Sequence, residues 1–144
     1  MKYEIVPLIS VGPLKFGALI EEVELILGSA THVSKAPFNL GTCRDYGSIS
    51  LGFDNDNKLI HAGFGTDFEG TLEYSGIDLF QDADALRKLI ELDRSPKLWV
   101  GSVMLMKLGM QLGGYHTTAD EGKTVSLFPA GRYDDKVSRF KELL

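Results

Sequence analysis

A chain of 144 residues that is 44% hydrophobic and 24% charged has the make-up of an ordinary globular protein, long enough to bury about two-thirds of its unfolded surface in one core. Its net charge of −5 argues against nucleic acid as a partner, since phosphate contacts need a dense basic surface, and its apolar runs at 5–14 and 98–106 fall short of the roughly 20 residues of a membrane-spanning helix. One cysteine, Cys43, cannot close an internal disulfide and suits a reducing compartment, so a cytoplasmic setting is expected.

Along residues 3–8, Tyr3 and Ile5 alternate with Glu4, which predicts a strand at a sheet edge that Pro7 terminates. Glu4 stands where a secretory leader would carry a cation, and no small-x-small cleavage site follows, so no leader is expected. The next stretch, residues 12–28, predicts a helix over 18–28. Ile20, Val23 and Leu27 recur at i, i+3 and i+7, Glu21, Glu22 and Glu24 take the wet side, and Gly28 supplies a left-handed stop. Residues 31–35 alternate weakly before the breaker-rich 37–41, which reads as a loop or an edge. Residues 42–46 lead into 48–53, where Ile49, Leu51 and Phe53 share one face. The turn composition of 54–57 and the return of 58–64 predict a hairpin with His61 facing away from the core.

Residues 70–74 read as a short strand feeding a second helix over 83–92, with Asp82 or Asp84 able to cap it. Residues 97–106 are too continuously apolar for either period and are assigned to a strand on internal symmetry. Residues 108–115 echo the aromatic-and-glycine rhythm of 46–53, and 123–128 close a second hairpin across the polar connection 116–122. From Asp134, a third helix would align Val137, Phe140 and Leu144.

Gly12 and Phe16 recur as Gly76 and Phe80 at an offset of 64, and Val23, Ile26 and Leu27 recur as Leu86, Leu89 and Ile90 at 63. This self-similarity predicts an α+β fold: a tandem repeat of helix plus antiparallel strands, about 1–70 and 71–133, with a C-terminal helix. Half a chain of this size buries too little alone, so both helices should pack on one face of a shared antiparallel sheet within a single domain. Phe16 and Phe80 would then be equivalent buried anchors at the two helix starts.

Residues 54–58 imitate the opening of a calcium loop, but Lys58 takes a ligand position, Leu59 the place of the required glycine and Gly65 that of the bidentate glutamate. Gly122-Lys123-Thr124 imitates the end of a phosphate loop without its first glycine or its following helix. His32, His61 and His116 share no metal spacing with one another or with Cys43. Cys43 with Asp45 could be a nucleophile or, more simply, a small buried hydrophobe, and Trp99, Met104, Met106 and Met110 could line a ligand groove or fill a core. Neither a catalytic set, a metal site nor a cofactor site is expected. Charge is the stronger signal: residues 54–84 hold eight acids against Lys58 alone. Such a segment is either a solvated face or a patch that steers a basic partner. Asp54, Asp56, Asp67, Glu69, Glu73 and Asp78 are its candidate partner-binding residues.

Gly12-Pro13-Leu14-Lys15-Phe16-Gly17, followed by Glu22-Val23 and Ile26-Leu27-Gly28, resembles a helix start found in two groups of proteins. One is the β-lactamase inhibitor protein with the small outer-membrane assembly lipoproteins of similar build; the other is a set of bacterial immunity proteins that neutralise a cognate toxin. No lipidated-cysteine leader precedes the motif, so the lipoprotein version is not expected. The resemblance implies a non-enzymatic, cytoplasmic protein-binding inhibitor acting on a partner such as a basic nuclease toxin. It carries over no site residues, because such inhibitors meet their targets with different faces. The rival expectation is an adaptor or structural interaction domain, which could equally form a homodimer.

Overall fold

Period-two alternation of buried and exposed side chains, more than any helical stripe, organises this chain in the computed structural model, which describes residues 1–35, 41–115 and 122–142. In chain order the strands of the first half are β1 (Lys2–Val6), β2 (Ser10–Val11), β3 (Leu14–Lys15), β4 (His32–Lys35), β5 (Thr42–Asp45), β6 (Ile49–Phe53) and β7 (Leu59–Gly65), with helix α1 (Ile20–Leu27) between β3 and β4. The second half supplies β8 (Thr71–Tyr74), β9 (Ile77–Asp78), helix α2 (Ala85–Asp93), β10 (Lys97–Trp99), β11 (Ser102–Leu105), β12 (Met110–Gly113), β13 (Thr124–Leu127) and β14 (Lys141–Glu142), the last preceded by a 3-10 turn at Val137–Arg139.

Two sheets result. The smaller has the order β3-β2-β1-β8-β9, and the larger runs β14-β10-β11-β12-β13-β7-β6-β5-β4. Every pairing is antiparallel except β1 with β8. In the large sheet the two halves meet at β7 and β13, where Ala62 pairs with Leu127 and Phe64 with Val125. Ile49, Leu51 and Phe53 of β6, Leu112 of β12 and Val125 of β13 turn to one side. There they join Tyr3, Ile5, Val11 and Leu72 of the small sheet, together with Val23, Ala85 and Leu89 of the helices, in one continuous core.

The expected tandem of helix-plus-sheet units, with both helices laid on one face, is therefore corrected to a mostly β architecture of two sheets. The helices are eight and nine residues long, and α1 fully buries only Val23. The Ile20, Val23 and Leu27 stripe does face inward, with Ile20 and Leu27 half-buried, while Leu25 is 89% exposed. Arg44 of β5 holds α1 through Glu24 at 3.0 Å, and Gly28 ends the helix at φ 81. Asp84, at the start of α2, makes no side-chain cap; Asp82 accepts the Asp84 N–H at 2.8 Å instead.

Several local expectations also change. β1 lies at the centre of the small sheet and not at an edge, because β2 and β8 pair with its two sides and bury Tyr3 and Ile5. The two glycine-to-phenylalanine segments do not start helices. Gly12 and Gly76, at φ 54 and 80, turn the β2–β3 and β8–β9 hairpins, so Leu14 and Leu79 become the fully buried residues there and Phe16 and Phe80 only half-buried ones. Residues 97–106 are a hairpin of two strands, β10 and β11. The third helix is absent from the described residues: Phe140 is extended at φ −77, ψ 141 and packs on Trp99 at 5.4 Å, which hands Lys141 and Glu142 to the edge of β10. A lone helix of about ten residues is marginal without a buried face, and ring packing plus strand pairing wins over it. Leu144, and the connections at 36–40 and 116–121 that contain Pro37 and His116, lie outside the described residues.

Candidate functional site

Directly paired residues of an antiparallel sheet share a face, so the register defines what lies on the side of the large sheet away from the main core. One row runs Asp45, Ser50, Gly63, Ser126, Gln111, Met104. Over β10–β12, Met104 joins Phe128, Tyr133, Trp99, Met106 and Phe140 in a second apolar cluster, and the Tyr133 hydroxyl donates to Gln111 Oε1 at 3.3 Å. Met110 thus fills the main core and Met104 this second cluster, with Trp99 and Met106 packed half-buried against the latter.

Beyond that cluster the same face holds small residues. Ser48, Ser50, Gly63, Gly65, Thr124 and Ser126 line an open trough of about 430 Å³, with His61 and Asp67 also on its lining. Gly63 is its floor. A Cβ placed there would meet His61 Nε2 at 3.4 Å and Ser126 Oγ at 3.9 Å, and one placed on Gly65 would meet Asp67 Oδ1 at 2.9 Å. Neither glycine has a positive φ, so the backbone does not require them. His61 faces away from the main core, as its hairpin predicts, and its Nδ1 is sealed from solvent without a hydrogen-bond partner. Burial, reinforced by the nearby Arg132 guanidinium, lowers its pKa to about 4, so the ring is neutral near pH 7.

A second depression of about 750 Å³ adjoins the first through Gly47, Ser48 and Asp67 and is lined by Met1, Tyr3, Tyr46, Phe68 and Glu69. The turn after β7 separates the two. Phe68 anchors that turn by packing edge-on against Tyr3 at 5.2 Å and Phe64 at 5.0 Å, and Gly70 lets Met1 and the Phe68 ring come close. Asp67 and Glu69 flank the half-buried ring and are exposed. Among the described residues neither makes an ion pair or a side-chain hydrogen bond.

The other candidate acids are elsewhere and mostly engaged. Asp54 accepts the N–H groups of Asp56 and Lys58 at 2.9 and 3.0 Å, closing the β6–β7 turn, while Asp56 is exposed at its tip. These two lie at the far end of β7 from Asp67, roughly 20 Å away at about 3.3 Å per residue. Glu73 pairs with Lys2 at 3.4 Å, and Asp78 accepts the N–H groups of Phe80 and Gln81. The six therefore occupy three places, and the structure brings only Asp67 and Glu69 together beside a depression. Cys43 is a half-buried free thiol paired with Gly52, and His32 is exposed on β4, the last strand of the sheet. Among the described residues no three of His, Cys, Asp or Glu cluster as metal ligands would.

His61, Ser126, Gly63 and Phe68 were not singled out as site residues by sequence pattern. Their signal is the run of small residues alternating with buried ones on three strands, which becomes a site only when β13 pairs with β7. No protein-family model, curated protein or solved structure matches the chain, so its geometry carries the functional reading.

Proposed function

We propose that the chain is a non-enzymatic protein-binding inhibitor of immunity type, which occludes the active surface of a basic partner such as a nuclease toxin. The turn at residues 66–70 is the centre of that contact. The observation that carries this reading is the pair of exposed carboxylates, Asp67 and Glu69, unpaired among the described residues and held on either side of an anchored Phe68 where two open depressions meet. An unpaired acid next to aromatic surface suits Lys and Arg side chains: the carboxylate supplies attraction and selectivity, and rings such as Tyr46 and Phe68 supply contact area. Anchoring matters because a fixed turn loses little conformational freedom on binding.

The test is to isolate the partner, identify it, and measure how far the chain suppresses its activity. Asp67→Asn with Glu69→Gln should weaken binding at least tenfold. Asp78→Asn, whose carboxylate is occupied within its own turn, should change it less than twofold. Equal suppression by the wild type and the Asp67/Glu69 variant would remove the proposed contact, and an identified partner whose activity is untouched would remove the inhibitor reading.

A further inference from the structure

We propose that the trough on the outer face of the large sheet is a guanidinium-binding site, in which the planar head of an arginine side chain lies over Gly63 and Gly65 and donates to the Asp67 carboxylate and to Ser126 Oγ. Four observations converge on it. Glycine is a poor strand residue, and without a positive φ to explain it, it commonly marks close approach by a ligand or another backbone. Gly63 and Gly65 are two such residues side by side along β7, and removing both side chains leaves a flat track. Next, the carboxylate at the end of the track, Asp67, has no partner among the described residues, so the site carries a negative charge that disfavours anions. The ring of His61 closes the other end with Nε2 leaning over Gly63, and among the described residues neither nitrogen has a hydrogen-bond partner, although Nδ1 is sealed from water. A neutral imidazole there does not itself repel a cation, and the Arg132 guanidinium near that ring puts the repulsion at the His61 end, so an incoming positive charge is drawn to the Asp67 end of the track.

Width selects the head group. Gly63 and Gly65 are two residues apart, about 7 Å along the strand, with Ser126 Oγ beside the first and Asp67 Oδ1 beside the second. An ammonium is a point donor with hydrogen bonds of about 2.9 Å, and it can bridge acceptors no more than about 6 Å apart. The rigid fork of a guanidinium spans further and lies flat.

The inference deepens the protein-binding reading by naming the side chain the partner would insert, and it rests on that reading only for the source of the arginine. Isotope-labelled protein is titrated at pH 7 with N-acetyl-arginine amide, a short peptide with one central arginine, free L-arginine, and the citrulline and lysine counterparts of the amide, following the Gly63 and Gly65 amide signals and the His61 ring. Both capped arginine probes should produce saturable shifts at these three residues, the lysine amide should bind several-fold more weakly, and the neutral citrulline amide should not bind. Asp67→Asn should weaken the arginine amide about tenfold. Gly63→Ala should abolish its binding while leaving the spectrum folded, since the added methyl meets nothing nearer than 3.4 Å and fills the floor. Shifts from both capped probes support a protein arginine. Binding of free L-arginine alone supports the guanidinium site but withdraws it from the protein interface. The proposal is overturned by no shifts with any arginine probe, by equal binding of the citrulline amide, or by unchanged binding in both variants. The salt-dependent association of the whole protein with its partner is measured separately, so losing this site does not decide the inhibitor reading.

Discussion

Asp93, the last residue of α2, is completely buried, and its carboxylate accepts the backbone N–H groups of Ser95 at 3.1 Å, Lys107 at 2.9 Å and Leu108 at 3.2 Å. One side chain thus ties the end of the helix to the turn between β11 and β12. Truncating it would leave three backbone donors unsatisfied, each costing about 1–3 kcal/mol when buried. Asp93→Ala should therefore cost about 3–5 kcal/mol. Asp93→Asn, which keeps an acceptor, should cost distinctly less. Denaturant midpoints compare them, and a loss below about 1 kcal/mol for the alanine variant would show that the turn does not depend on this carboxylate. His61 couples folding to pH. Its folded pKa of about 4 lies below the ordinary 6.5, so between those values the unfolded chain binds more protons and stability must fall as pH falls. The contribution lost by pH 5 is about 2 kcal/mol. His61→Gln should flatten the decline between pH 7 and 5; an identical pH dependence in the two proteins would exclude His61 as its source.

At the scale of elements, spacing alone misleads where two structures satisfy it. Gly12 to Phe16 and Gly76 to Phe80 read as helix starts because glycine and an aromatic recur four residues apart, yet both glycines serve hairpin turns. Between each glycine and its phenylalanine the fully buried side chain is Leu14 or Leu79, at 1% and 0% exposure. Leu79→Ala should therefore cost about 2–5 kcal/mol and Phe80→Ala less, although phenylalanine is larger. A greater loss at Phe80 would restore it as the anchor. The hairpin of β6 and β7 was legible because its alternation and turn are local: Ile49, Leu51 and Phe53 mark the inner face, and Asp54 closes the turn through its own neighbours. The centring of β1 was not, since Tyr3 pairs with Leu72 and nothing near Tyr3 announces it. The same holds for the trough. Gly63 and Ser126 are 63 positions apart and each is bland on its own. Asp67 was legible as a charge, but its place between two depressions depends on Phe68 reaching Tyr3.

For the whole molecule, eight acids between residues 54 and 84 look like one patch in sequence and become several kinds of group in space. Asp54 and Asp78 are occupied by backbone N–H groups, while Glu73, Asp82 and Asp84 pair with Lys2, Lys88 and Arg87. Among the described residues, Asp56, Asp67 and Glu69 have no such partners. Their distances from the proposed contact differ, and screening turns that difference into a measurement. The Debye length is ~30 Å at 0.01 M salt and ~8 Å at 0.15 M. Asp56, roughly 20 Å along β7 from Asp67, falls inside the first range and outside the second. Asp56→Asn should therefore slow association with a basic partner at 0.01 M salt and have no effect at 0.15 M. Glu69→Gln, at the rim of the contact, should slow it at both, without shortening the lifetime of the complex. Asp67→Asn should also shorten the lifetime, because its carboxylate would hold an inserted side chain directly. On-rates and off-rates for the three variants, measured across salt, separate these roles. If the wild type and every variant associate at one salt-independent rate, these carboxylates are solvated surface and steer nothing.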